Sequence, residues 1–182
     1  VPLAPYTSAR IGGPADIFIT VDSVAALARV VKYLWKNDMP FLVMGGGSNL
    51  LVSDKGARGV VVLNRAKKVT FHAGNQPSVS AESGVVFSNL ANRCASKGFG
   101  GIEWAAAVPG TIGGAVYGNA GAFGGDVAGS LLSTELLTET GREKFSVEQM
   151  GYGYRASLLK RGELKAIVLS AEFSLTNSTK ED

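Results

Sequence analysis

Residues 15–21 (ADIFITV) are dense in β-branched and aromatic side chains and predict a strand. Asp22 or Ser23 can cap a following helix that runs to about residue 36, with Leu27, Val30, Val31 and Leu34 on one face. Asn37, Asp38 and Pro40 end it. Residues 41–44 (FLVM) are apolar with no alternation, the pattern of a short strand covered on both faces. Residues 45–49 (GGGSN) must then be a loop, and residues 50–53 and 60–63 read as two more short strands. The opening section is therefore β-α-β.

From about Arg65 the pattern changes. Residues 69–73 and 78–81 are strand-like, with Ala73, Gly74 and Asn75 turning between them. Residues 85–97 predict a helix, because Val86, Leu90 and Cys94 recur at helical spacing and Gly98 is a natural stop. A long Gly/Ala-rich stretch follows over residues 99–129. Residues 131–138, 144–147 and 164–175 then read as strands, with Thr140, Gly141 and Arg142 in a hairpin turn between the first two. The polar tail, residues 176–182 (TNSTKED), reads as a linker or a frayed end. The expected class is α+β, in two lobes meeting near residues 64–68: one over residues 1–66, the other over residues 67–182. This order of elements does not match a doubly wound nucleotide fold.

Composition narrows the classes. Of 182 residues, 46% are hydrophobic and 18% charged, which excludes a disordered chain. The 24 glycines follow no period, so they signal tight turns and close backbone approach rather than a collagen-like repeat. Net charge is +3, and the basic residues are scattered apart from pairs such as Lys67 and Lys68. That distribution favours an anionic small ligand over nucleic acid. One cysteine, Cys94, and one histidine, His72, exclude an internal disulfide framework and argue against a metal site. No apolar run is long enough to span a bilayer, and the opening VPLAP lacks a signal peptide's basic and apolar regions. A soluble, cytoplasmic chain is expected, and a monomer.

Three stretches carry candidate chemistry. In Gly45, Gly46, Gly47, Ser48 and Asn49, successive glycines let several N–H groups point into one concavity, a nest for phosphate oxygens. A tight turn between strands would account for one or two of these glycines; three followed by Ser-Asn favour anion binding. The run lacks the Gly-Lys-Ser/Thr of a P-loop and opens no helix with a dinucleotide fingerprint. The second stretch, residues 107–122, is filled with small residues over about sixteen positions, beyond most ordinary loops. Either a flat ligand lies against its backbone or it packs closely between the lobes. The third, residues 151–157 (GYGYRAS), holds Arg155, which can grip a carboxylate or phosphate in two-point fashion, or can be a solvated surface arginine. His72 and Cys94 read as structural, Trp35 and Trp104 as packing groups, and the roles of Glu103 and Asp126 stay open.

Taken together, TSARIGGPA from Thr7, GGGSNLLVSD from Gly45, VPGTIGGAVYGNAGAFGG from Val108 and GYRAS from Gly153 resemble the UDP-N-acetylenolpyruvoylglucosamine reductase (MurB) family in order and spacing. The resemblance runs from Pro2 to about Leu175. It implies a vanillyl-alcohol-oxidase-like FAD-binding fold whose two α+β lobes clasp a non-covalent FAD. It assigns Gly45, Gly46, Gly47, Ser48, Asn49 and Leu50 to the FAD pyrophosphate. Pro109, Gly110, Thr111, Gly113 and Gly114, with Asn119 and Gly121 beyond them, would line the dinucleotide. Arg155 would be the active-site arginine. The family reaction belongs to peptidoglycan precursor synthesis: NADPH reduces the flavin, and hydride then passes to the enolpyruvyl group of a UDP-sugar.

One departure accompanies the resemblance. The family's proton-donating serine and a glutamate beside the arginine lie in a C-terminal domain, and neither has a counterpart in this chain; Ser157 belongs to the arginine motif. The expectation is a chain that binds FAD and has little or no reductase activity alone, with the UDP-sugar a partner only of the complete enzyme. Two alternatives stand beside it. One is another oxidoreductase of the same fold; many such relatives attach FAD through His or Cys, and here His72 and Cys94 lie outside the glycine-rich segments. The other is a non-catalytic nucleotide-binding module.

Overall fold

A computed structural model of the chain describes residues 1–178. Two sheets organise it. The first has three parallel strands in the order β1 (Ala15–Val21), β3 (Ala57–Asn64), β2 (Phe41–Met44). Helix α1 (Val24–Lys36) connects β1 to β2, and the Ser23 side chain accepts a hydrogen bond from Ala26 N at its start. Its buried stripe of Val24, Leu27, Ala28, Val31 and Leu34 covers one face of the sheet, where Val60 and Val62 point. Val61 and Leu63 point to the other face and pack with Leu3, Ala15 and Met44. The central strand β3 is thus the one buried on both sides.

Strand β2 differs from the expectation. Its apolar run lies at the sheet edge: Phe41 and Val43 pack toward α1, while Leu42 is exposed. Residues 50–53 also differ, since they pair with no strand. Leu50 and Val52 pin an extended loop onto the core beside Leu3 and Met44. Apolar anchors in a loop and in a strand look alike in sequence; only the pairing partner separates them.

The second sheet is antiparallel throughout, in the order β10 (Arg142–Ser146), β9 (Leu131–Leu137), β11 (Ile167–Ser174), β5 (Ser78–Glu82), β4 (Val69–His72). One face carries the main core, including Val79, Ala81, Leu136, Ala171 and Phe173. The opposite face is polar, with Ser80, Ser133, Glu135, Ser170 and Glu172 lining a shallow hollow of about 380 Å³. Leu137 and Leu169 reach across to the α1 core, so the two sheets share apolar contacts.

Helix α2 (Phe87–Ala95) is shorter than expected and buries Phe87, Leu90, Ala91 and Cys94. Val86 stays extended just before it, because it bridges to Thr111 while Phe87 N donates to Gly110 O. Gly98 ends the following turn at φ 76°. The Gly/Ala-rich stretch is not a long loop. It folds into a short strand β6 (Phe99–Gly100), a 3₁₀ turn (Glu103–Ala107), α3 (Ile112–Gly118), a hairpin of β7 (Gly121–Ala122) and β8 (Gly125–Asp126), and α4 (Val127–Ser130). Its small residues allow close approach: a Cβ on Gly113 would sit 3.1 Å from Ser83 Cβ. In the tail, Thr176–Asn177 form β12 and pair with β6, so this part is not frayed; residues 179–182 lie outside the described residues. Among the described residues no helix is long and apolar enough to cross a membrane.

Candidate functional site

A cleft of about 1320 Å³ opens between the edge strand β2 and α3. It is larger than the ~300–1,000 Å³ that holds a drug-sized ligand. The loop after β2 contributes Gly45, Gly46, Gly47, Ser48, Asn49 and Leu50, because β2 runs parallel to β3 and delivers its C-terminal end there. The segment after α2 contributes Pro109, Gly110, Thr111, Gly113, Gly114 and Gly121, and the third motif contributes Arg155. Three stretches separated by about sixty and thirty-five residues therefore meet in one cavity.

Asn119 is the exception. It caps α3 in a left-handed conformation at φ 46° and is buried. Its Nδ2 donates to Gly153 O at 3.0 Å and to Asp126 Oδ2 at 3.2 Å, and its Oδ1 accepts from Ala128 N. That side chain is fully used in tying three loops together.

The glycines divide into two kinds. Some are required by packing of the protein on itself: a Cβ on Gly45 would collide with the Thr111 side chain, one on Gly47 with Tyr6 O, and one on Gly110 with Ser48 Oγ. The first two motifs thus lock against each other. Gly114 and Gly118 are of the second kind. They lie four residues apart on one face of α3, they line the cleft, and a Cβ on either would meet nothing within 4 Å. Among the described residues no contact requires these glycines. They leave one helix face bare toward the cavity.

Arg155 sits at the tip of a tight turn closed by reciprocal hydrogen bonds between Gly153 and Ala156, both 3.1 Å. Its backbone is left-handed at φ 53°, an unfavourable state for a non-glycine residue, and its Nη2 donates to Gly121 O at 2.8 Å. The turn is docked on the end of α3, where the last carbonyls lack partners within the helix. Tyr152 Oη donates to Val116 O at 3.1 Å and Ser157 Oγ to Tyr117 O at 2.7 Å. Burial pushes the Tyr152 phenol well above its ordinary value, and the Asp126 carboxylate adds to this, so Tyr152 stays protonated as a donor.

Several cleft residues carried no signal in the sequence. Leu42 and Tyr117 are among them, as is the buried Asn64, whose Nδ2 donates to Ser83 Oγ at 2.8 Å. Lys160 is another cation on the cleft wall. Among the described residues neither Arg155 nor Lys160 pairs with a carboxylate, whereas the nearby Lys165 pairs with Glu139 at 2.7 Å. Glu103 accepts from Gly101 N, and Asp126 caps α4 through Gly129 N, so both acids have structural tasks. Trp35 packs on Phe41, and Trp104 packs on Phe87 while donating to Ser130 Oγ. Cys94 is buried on α2 and His72 lies on the edge strand β4; neither lines the cleft.

Comparison with known proteins agrees with this geometry. A family model described as an FAD binding domain matches residues 15–144. The UDP-N-acetylenolpyruvoylglucosamine reductase of Carboxydothermus hydrogenoformans is 40% identical, aligned over 100% of this chain and 59% of its own length. That of Synechococcus elongatus is 42% identical over 96% of this chain and 58% of its own length. The chain thus spans somewhat less than three-fifths of these curated relatives. The crystal structure of the reductase (MurB) from Thermus caldophilus superposes with a TM-score of 0.82 at 30% identity, covering 100% of this chain and 63% of that one. An alkyldihydroxyacetonephosphate synthase and a cholesterol oxidase share the fold, each with a TM-score of 0.65, at 19% and 16% identity and over 92% and 90% of this chain, but only 33% and 35% of their own. The fold is the vanillyl-alcohol-oxidase-like one expected from the motifs. The chain belongs to the FAD-binding domain family, and over its length it is similar to part of the UDP-N-acetylenolpyruvoylglucosamine reductases.

Proposed function

We propose that the cleft between β2 and α3 holds FAD without a covalent link, and that the complete protein is a cytoplasmic, monomeric, NADPH-dependent UDP-N-acetylmuramate dehydrogenase. The observation that carries the cofactor site is the bare face of α3. Gly114 and Gly118 leave space that none of the described residues fills, as a flat ring system lying on backbone requires. The loop of Gly45, Gly46, Gly47, Ser48, Asn49 and Leu50 faces the same cavity and suits the pyrophosphate, with backbone N–H groups and the Ser48 and Asn49 side chains as donors. Pro109, Gly110, Thr111, Gly113 and Gly121 line the dinucleotide's path.

Bound FAD supplies the hydride-transfer chemistry. The chain's own residues supply position and field. Arg155 meets the carboxylate of an enolpyruvyl UDP-sugar, and its positive charge stabilises negative charge that develops there during reduction. A solvated surface arginine would need neither a left-handed backbone nor a tether to Gly121. The test is a titration of the purified chain into FAD. Quenching of flavin fluorescence with a saturable curve supports the reading; unquenched flavin at high protein concentration overturns it.

A further inference from the structure

Arg155 is held by more than its own motif turn. Lys160 Nζ donates to the Arg155 carbonyl oxygen at 2.7 Å. The ammonium thus grips the main chain of a cleft residue whose backbone is left-handed at a non-glycine position. Lys160 is itself delivered by Ser157, a fully buried residue whose hydroxyl is used twice. Ser157 Oγ donates to Tyr117 O at the end of α3 and accepts from Lys160 N at 3.2 Å. Arg161 N donates to Ser157 O at 3.0 Å, closing the turn that carries Lys160 back over Arg155. A continuous chain of hydrogen bonds therefore runs from the cleft helix to Ser157, Lys160 and the Arg155 backbone, and from the Arg155 guanidinium to Gly121 O.

We propose that Lys160 is a positioning residue for Arg155, fixing the strained turn that aims the guanidinium along the cleft. This rests on the reading that Arg155 serves the site. An ordinary surface lysine keeps its ammonium in water or beside an acid. This one is spent on a carbonyl, and among the described residues it has no carboxylate partner. Because its donor is a charged group, the bond is stronger than a neutral one, and its removal leaves the left-handed tip free to relax.

The experiment compares the whole FAD-loaded chain with its Lys160→Met and Lys160→Arg variants. Lys160 is exposed, so its replacement leaves the core intact. The readout is amide hydrogen exchange at Ala156, whose N–H donates to Gly153 O and closes the Arg155 turn. Lys160→Met should speed exchange there by about tenfold. Lys160→Arg should restore protection. Unchanged exchange in Lys160→Met, or a uniform rise across α2 and β5 as well, overturns the proposal. The two readings fail separately: an unquenched flavin sinks the cofactor site, whereas the Ala156 exchange rate can be read with or without FAD.

Discussion

Substitutions at Gly114 should separate stability from cofactor binding. Gly114 lies inside α3, and a Cβ there meets nothing within 4 Å. Alanine is favoured over glycine in a helix by about 0.5–1 kcal/mol, and no contact opposes that gain. For a chain of this length each kcal/mol moves the melting temperature by about 2–4 °C, so Gly114→Ala should raise that of the ligand-free chain by roughly 1–4 °C. The same Cβ projects into the cleft. Gly114→Leu places a whole side chain where the flat ligand should lie. Overfilling a packed contact costs about 1–3 kcal/mol, which corresponds to a roughly five- to 150-fold weaker Kd. Thermal melts without FAD and fluorescence titrations with it measure the two effects on one sample. A Gly114→Leu chain that binds FAD with the parent affinity would refute the reasoning, because the bare helix face would then be no part of the site.

Gly45→Ala should behave in the opposite way, since its Cβ collides with Thr111 where the two loops lock; a loss of about 1–3 kcal/mol in urea melts without FAD is expected, and an unchanged midpoint would contradict the loop contact. Cys94 makes a pH prediction. Burial pushes its thiol up to about 11 from an ordinary 9.0, partly offset by Arg93, so the folded chain holds this proton more tightly than the unfolded one. Its contribution is complete below about pH 9 and is lost as pH rises toward 11, by roughly 2–3 kcal/mol. Urea melts from pH 8 to 11 should show a steeper decline for the parent than for Cys94→Ala; equal slopes would dismiss the assignment. The same burial should keep Cys94 unreactive toward a thiol reagent until the chain unfolds.

What could be read along the chain was what local chemistry dictates. Strand β1, helix α1 and the extent of β2 follow from side-chain periodicity, a Ser23 cap and Pro40, all features of neighbours in sequence. The glycine-rich runs were conspicuous for the same reason, since glycine marks where a side chain is not tolerated whatever excludes it. Which exclusion applies was decided only by the tertiary structure. Gly45 and Gly110 are glycine because another loop of the protein lies against them, whereas Gly114 and Gly118 face open space. The edge position of β2, the late start of α2 at Phe87 and the short helices within residues 99–129 depend on partners far along the chain, such as Thr111 for Val86 and Ser83 for Gly113. Asn119 and Lys160 show the same limit. One has its polar atoms consumed by Gly153, Asp126 and Ala128, and the other turns its ammonium back onto the Arg155 carbonyl. A residue type states which bonds it can make; the fold brings up the partner that takes them.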